Sequence, residues 1–337
     1  MIGADAYSGL PANAAGPQRA TASDRRRVDG VLLLDKPHGL SSNAALQRVK
    51  RLYRAEKAGH TGTLDPLATG VLPICFGEAT KFANLLLDAD KTYLATLRLG
   101  VKTTTGDAEG KIVAEHPIAV TRQQLEDALR RFVGRIAQTP PRHSALKRDG
   151  RNYYEYAREG IEIERQPREI AIHTIELLAW RAPEAEISVR CGKGTYIRSL
   201  AEDIGEALGC GAHLAALSRT AAGEFVLADA SSLEALEQRD EAGRDALLLP
   251  IDAPVRRLAS VELERADAER LSCGQALGCA DRPDAIVRVY AGGAFAGLAE
   301  IRGSVMRARR MLAQPERTGA PPPKAFATRL NPKHFSG

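Results

Sequence analysis

The chain has 337 residues, 44% of them apolar and 26% charged, which is enough to bury more than one core, and two domains are expected. Lys and Arg number 47 against 42 Asp and Glu, a net charge of +5 with an isoelectric point near 9.0. That balance admits an anionic partner and excludes a histone-like electrostatic coat, an acidic solvating tail and a chain disordered throughout.

Residues 1–27 contain no apolar segment of the kind a secretory signal needs and read as a disordered leader. Patterning starts with the apolar run Val31 to Leu34, a buried strand closed by the turn Lys36-Pro37-His38-Gly39. Ser41 or Ser42 then caps a helix over 43–53 with Ala45, Leu46, Val49 and Leu52 on one face. A loop rich in Gly and Thr leads to a strand at 71–76, a helix at 79–87 and a half-buried alternating strand at 92–99. Residues 122–132 form an amphipathic helix, 170–180 and 186–191 paired strands, and 195–208 a helix. From about Ser231 the chain is helical again up to a boundary at Pro250 to Pro254, beyond which 285–290 and 294–301 form a hairpin around Ala291-Gly292-Gly293. Pro321 to Pro323 mark an unstructured end. Strands and helices without regular βαβ repeats predict an α+β fold, a mixed or antiparallel sheet with helices packed on it.

Five cysteines (75, 191, 210, 273 and 279) with no C-x-x-C pair disfavour a disulfide framework and a four-Cys zinc site, and fit a reducing cytoplasm. No apolar run approaches membrane-spanning length. Neither phosphate-loop motif occurs, and the seven His residues form no H-E-x-x-H, so nucleotide and metal chemistry are unsupported.

The most unusual string is Gly59 to Gly70, GHTGTLDPLATG, with one carboxylate, one imidazole and three glycines in twelve residues. Glycines there permit positive φ or close backbone approach, while Asp65 before Pro66 is equally read as an Asx-turn or N-cap. Lys193 to Arg198 (KGTYIR) puts Lys, Tyr and Arg at a strand–helix junction. Tyr196 is able to stack on a base and Arg198 to grip a carboxylate or phosphate; a half-buried core Tyr and a surface Arg are the plain alternatives. Basic and aromatic residues also alternate from Arg142 to Tyr156, a composition suited to looped RNA and also to a solvated loop followed by a helix.

The strings GVLLLDKPHGLSS (30–42), GHTGTLDPLATGVLPICFGEATK (59–81), KTYLATLRLG (91–100), SALKRDGRNYYEYAREG (144–160) and CGKGTYIRSLAEDIGEALGCGAHLAALSRT (191–220) closely resemble the TruB-type bacterial tRNA pseudouridine-55 synthases. The resemblance covers roughly residues 30 to 226 in order. It implies an α+β pseudouridine-synthase fold, a central mostly antiparallel mixed sheet flanked by helices, followed by a small β-rich PUA-like RNA-binding domain. The expected divisions are a leader at 1–27, a catalytic domain at 28–250, the PUA-like domain at 251–313 and a basic tail at 314–337.

The resemblance further implies isomerisation of a T-loop uridine of tRNA, flipped from its stack, with no cofactor or metal and with a monomeric enzyme. Asp65 becomes the catalytic carboxylate, Arg198 its paired cation and Tyr93 the active-site tyrosine. Tyr196 faces the pocket, His60 helps hold the flipped-out nucleotide and Leu217 contacts substrate. Lys36 and Pro37 line the site, and Lys193 lies near the substrate backbone. Two departures from the common pattern are His143 before Ser144-Ala145 and Thr103-Thr104-Thr105-Gly106-Asp107 in place of TDTxD. A non-catalytic RNA-binding or tRNA-folding module is the competing reading; an Asp-dependent hydrolase is a third, against which the single carboxylate of the Gly59–Gly70 loop counts.

The charge is uneven along the chain. Residues 302–337 hold eight basic side chains against Glu316, a net of +7, which leaves residues 1–301 at −2.

Overall fold

The computed structural model describes residues 25–313 apart from 143, 145 and 281, together with the backbone but not the side chain of Tyr154. Residues 1–24 and 314–337, where a disordered leader and tail are expected, lie outside the described residues. Arg26 does not belong to a disordered leader. Its guanidinium holds both carboxylate oxygens of Asp245 at 2.7 and 2.5 Å and donates to the Tyr53 carbonyl at 3.0 Å, and this fork-to-fork pairing ties the chain down ahead of the first strand.

The apolar run becomes β1 (Gly30–Lys36), whose unbroken hydrophobicity follows from burial on both faces. Helix α1 (Ser42–Leu52) starts at Ser41, whose hydroxyl accepts from the Ala44 N–H at 3.1 Å, and it buries Ala45, Leu46 and Val49. The short β2 (Ala58–His60) and the long β3 (Thr69–Phe76) flank the Gly/Thr-rich loop, and β3 pairs antiparallel with β1 from Gly30↔Phe76 to Lys36↔Gly70. The helix expected over 79–87 is divided into a 3₁₀ turn at Gly77–Lys81 and α2 (Ala83–Leu87). Phe82 interrupts it, because its buried ring packs edge-on against Phe295 at a centroid distance of 5.3 Å, a tertiary contact that local periodicity does not encode.

Next, β4 (Lys91–Leu99) alternates as predicted, burying Lys91, Tyr93, Ala95, Leu97 and Leu99. A hairpin, β5 (Val101–Thr103) with β6 (Ile112–Glu115), leads to α3 (Arg122–Arg130), which opens on a capping box of Thr121 and Gln124. After β7 (Gly134–Gln138) come the two-residue strands β8 (Lys147–Arg148) and β9 (Arg151–Asn152), then α4 (Tyr153–Arg158). The predicted strand pair is the hairpin of β10 (Arg168–Arg181) and β11 (Glu184–Cys191).

Helix α5 (Ile197–Ala207) begins two residues later than its pattern suggests. Tyr196 stays extended at the N-cap, where its N–H donates to the Gln138 side chain at 2.9 Å. Then follows β12 (Ala212–Ala222), a central strand absent from the sequence-based expectation because AHLAALSRTAA neither alternates nor is rich in β-branched residues. The tiny β13 (Phe225–Val226) and β14 (Ser231–Ser232) precede α6 (Leu233–Glu237) and α7 (Glu241–Asp245), which are single turns and not the continuous helix expected from Ser231.

The main sheet runs β14-β1-β3-β12-β4-β11-β10-β7, with β2 and β13 pairing to β3 and β12. Only β14–β1 and β3–β12 are parallel, so it is mixed and mostly antiparallel. Helices α1, α3 and α5 cover one face through Val49, Leu125, Leu129, Leu200 and Ile204, packed on Leu34, Ile74, Leu97 and Ile187. Beyond Pro254 a separate five-stranded sheet forms from β15 (Ser260–Leu263), β16 (Leu277–Gly278), β17 (Ala285–Ala291), β18 (Ala294–Arg302) and β19 (Val305–Met311), with α8 (Arg265–Ser272) packed against it. The hairpin expected around Gly292-Gly293 is β17–β18. Strand β19 escapes the pattern because four of its seven residues are exposed.

Candidate active site

A cavity of about 480 Å³ opens where the β2–β3 loop, β4, β12 and the start of α5 converge. Asp65, Tyr93, Tyr196, Arg198 and Leu217 line it together, although they lie up to about 150 residues apart in sequence.

Asp65 sits at a turn in which the Ala68 N–H donates to its carbonyl at 3.1 Å, while its carboxylate projects toward α5. Arg198, in the first turn of α5 and only 4% exposed, brings Nε to 2.9 Å from Asp65 Oδ2. The same guanidinium places Nη1 3.5 Å from Asp107 Oδ2 and donates to the Thr105 carbonyl at 3.3 Å. Asp107 is itself buried and held by the Thr105 hydroxyl and the Glu109 N–H. A buried guanidinium thus stands between two carboxylates, one enclosed and one facing the cavity. Charge compensation removes the penalty of an isolated buried cation and holds the Asp65 carboxylate in one orientation.

Two strand irregularities aim the remaining groups. The β12–β4 ladder shifts register between Leu214 and Ala216 and again between Arg219 and Ala221. Between these bulges Leu217 pairs with Ala95 and Arg219 with Tyr93, and of these four Tyr93, Leu217 and Arg219 line the cavity. Burial raises the phenols of Tyr93 and Tyr196 above their ordinary value; Arg219 opposes the shift at Tyr93 and Ser144 opposes it at Tyr196.

The glycines of the loop have a specific cause. A Cβ on Gly62 (φ +69°) would lie 3.0 Å from Arg219 Nη1, and one on Gly70 (φ +103°) would lie 2.3 Å from the Arg219 carbonyl oxygen. Both positions therefore let the loop close over β12.

Four expected site residues are not at the cavity wall. Lys36 is fully buried beneath the loop, its ammonium donating to the carbonyls of Pro37 at 2.9 Å, Leu40 at 2.5 Å and Pro66 at 3.5 Å. Lys36 and Pro37 thus support the residue after Asp65 and do not line the site, because strand alternation turns the lysine inward. His60 lies on β2 with Nδ1 buried and without a hydrogen-bond partner among the described residues, and burial lowers its imidazole, with Arg219 adding to the effect. Lys193 points to the rim, where it pairs with Asp88 at 2.8 Å.

The basic and aromatic stretch around Arg148 is partly self-satisfied: Arg151 stacks over the Tyr156 ring at 4.7 Å and also pairs with Glu159, and Tyr153 is buried. Three site residues escape the sequence reading, namely Lys91, Asp107 and Arg219. Asp107 ends the altered Thr103–Asp107 string and Arg219 sits in the Ser-Arg-Thr that closes the last matched motif, so the signal was present for both without indicating burial. Among the described residues no group of three or more His, Cys, Asp or Glu side chains is placed to hold a metal ion, and no helix is long and apolar enough to cross a membrane.

Solved structures share this architecture. A Cbf5 complex with Nop10 and Gar1 is 28% identical with a TM-score of 0.62, covering 80% of this chain and 78% of that one. An archaeal box H/ACA Nop10–Cbf5 complex superposes with a TM-score of 0.63 at 24% identity, covering 88% and 91%. The fold is that of the pseudouridine synthases. The TruB family pseudouridylate synthase N-terminal domain matches residues 50–197, the tRNA pseudouridylate synthase B C-terminal domain 198–256, and a second TruB C-terminal domain 259–312. The tRNA pseudouridine synthase B of Azoarcus sp. (strain BH72) is 56% identical over 289 residues, 86% of this chain and 96% of that protein. The enzyme of the same name from Ralstonia nicotianae is 54% identical over 88% of this chain and 98% of its own length. The chain belongs to the TruB family of pseudouridylate synthases.

Proposed function

We propose that the protein is an isomerase that converts uridine 55 in the T-loop of tRNA to pseudouridine, with Asp65 as the catalytic carboxylate. The observation that carries this reading is the Asp65–Arg198 pair at the mouth of a cavity walled by two tyrosines and a leucine. The uridine leaves its stack and enters the cavity, where Tyr93, Tyr196 and Leu217 supply ring and apolar contacts for the base. Asp65 attacks or electrostatically stabilises the ribose as the glycosidic bond breaks, and the uracil turns and rejoins through carbon. No atom is lost and nothing is oxidised, so the reaction calls for no cofactor. Arg198 orients Asp65, and Lys36 and Pro37 hold the turn behind it. His60 backs the loop that supports the flipped-out nucleotide, and Lys193 meets the RNA backbone at the rim.

Residues 28–250 are the catalytic domain in this reading. Residues 251–313, carrying the five-stranded sheet, are the PUA-like RNA-binding domain, and the enzyme acts as a cytoplasmic monomer on the T-arm. The idle-site alternative, a tRNA-folding module, makes no use of a buried Arg198 held between two carboxylates. A T-arm hairpin incubated with purified protein and no added cofactor is expected to gain one pseudouridine. Asp65→Asn is expected to abolish turnover and retain RNA affinity; turnover in that variant would sink the mechanism.

A further inference from the structure

Helix α5 carries Arg198 in its first turn, yet its own sequence does not cap it. Tyr196 occupies the N-cap in an extended conformation, at φ −105° and ψ 111°, and its side chain makes no capping hydrogen bond, unlike the Ser41 and Thr121 hydroxyls that open α1 and α3. Because Tyr196 lines the cavity, a Ser, Asp or Asn at that position would cap the helix and leave the wall without its ring. The hold comes instead from 58 residues away, from Gln138, the last residue of β7 and only 2% exposed. Its Oε1 accepts from the Tyr196 N–H at 2.9 Å and its Nε2 donates to the Tyr196 carbonyl at 3.0 Å. The same carbonyl accepts the first hydrogen bond of α5, from the Leu200 N–H at 3.0 Å. A single side-chain amide thus pairs with both main-chain groups of Tyr196 as a neighbouring strand would. Next to it the Ser199 hydroxyl donates to the Thr139 carbonyl at 3.0 Å, a second tie between the end of β7 and α5.

We propose that Gln138 is a positioning residue: its amide fixes the backbone at Tyr196 so that Arg198, two residues on, meets Asp65 in the geometry that the isomerisation needs. The inference rests on the isomerase reading above and adds to it a residue outside the cavity lining. Arg198 reaches Asp65 Oδ2 through Nε at 2.9 Å, and a small rotation of the first turn of α5 about Tyr196 lengthens that contact, which weakens with both distance and angle. Ser199 restrains the far side of the turn but not the residue at which the chain enters it. The residue type at 138 follows from the two groups it serves. An amide presents a donor and an acceptor in one plane; a carboxylate offers acceptors only and would set one of them against the Tyr196 carbonyl, and an apolar side chain of the same length would pair with neither group.

The test compares full-length Gln138→Met and Gln138→Glu with the unaltered protein on a T-arm hairpin, at a temperature where circular dichroism shows each of them folded. Gln138→Met keeps the length of the side chain and loses both hydrogen bonds. Its single-turnover rate is expected to fall between ~10- and ~100-fold with unchanged hairpin affinity, the scale on which a displaced group loses rate. Gln138→Glu, almost identical in shape, is expected to slow turnover as well, because the chemistry of the amide and not its volume is what Tyr196 uses. Since Gln138 acts through Arg198, Gln138→Met combined with Arg198→Lys is expected to lose less than the product of the two separate losses. An unchanged rate in Gln138→Met, a loss confined to affinity, or losses that multiply in the double variant would overturn the proposal, as would failure of both Gln138 variants to fold, which would assign Gln138 to the fold alone. Absence of pseudouridine with the unaltered protein would overturn the isomerase reading and this inference with it, whereas the other failures overturn the inference alone.

Discussion

Arg198 is a buried cation whose pairing serves the fold and, in the proposed mechanism, the orientation of Asp65. Its guanidinium lies between Asp65 and Asp107, with the Thr105 carbonyl as a further acceptor, and a lysine cannot satisfy three acceptors arranged around a planar fork. Arg198→Lys is expected to keep the charge and lose the geometry, lowering single-turnover rate by ~10²-fold or more with little change in RNA affinity; a stopped-flow comparison of rate and binding checks it. Lys36 makes a different prediction. Burial pushes its ammonium down to about 8, whereas the unfolded chain keeps that proton until roughly pH 10.4. Within that window the unfolded state binds more protons, so the Lys36 contribution makes stability rise with pH; below pH 8 both states are protonated and the burial penalty is present in full. Urea denaturation from pH 8 to 10 is expected to show a steeper gain for the unaltered chain than for Lys36→Met.

At the scale of elements, the site depends on irregularities more than on regular structure. The two bulges in β12 turn Leu217 and Arg219 into the cavity, and the extended Tyr196 ahead of α5 lets Arg198 fall in the first helical turn, opposite the Asp65 loop. The break between the 3₁₀ turn and α2 has a structural purpose of its own. Phe82 leaves the helical path to join Val255 and Leu298 in a small core that joins the catalytic body to the second sheet, which Lys81 reinforces by donating to the Met311 carbonyl at 3.1 Å. Phe82→Ala is expected to destabilise the protein by about 3–5 kcal/mol, as for other buried aromatic truncations. Urea unfolding followed by fluorescence from Trp180, which lies in the main sheet, and by circular dichroism is expected to separate into two transitions if this core couples the two sheets.

Across the whole molecule the charge divides into a nearly balanced body and a basic end. Residues 302–337 carry a net of +7, and of these Arg302, Arg307, Arg309 and Arg310 fall on β18 and β19. Arg302 and Arg309 approach Glu300, so part of this charge is already paired, and positions 314–337 hold four basic side chains against Glu316. Deleting residues 314–337 is expected to weaken tRNA binding and flatten its salt dependence, since each lost phosphate contact removes about 0.9 from the slope of log affinity against log salt for a duplex. Binding titrations from low to moderate salt check this, and an unchanged slope would refute it.

Local sequence determined much of this protein. The unbroken run of β1, the Ser41 cap, the alternation of β4 and the Gly59–Gly70 and Lys193–Arg198 strings each act over a few residues, and each is in the structure where its pattern places it. The site was legible to the extent that its chemistry lies in such strings, as with Asp65, Tyr93, Tyr196 and Arg198. Tertiary structure alone decided that an alanine-rich segment becomes the central β12, that Phe82 breaks a helix, and that Lys36 lies under the loop. It also decided that Arg219 stands behind Tyr93. The reason is physical: strand pairing, bulge position and burial of a charge are set by partners distant in sequence, whose free energy enters only once the sheet has closed.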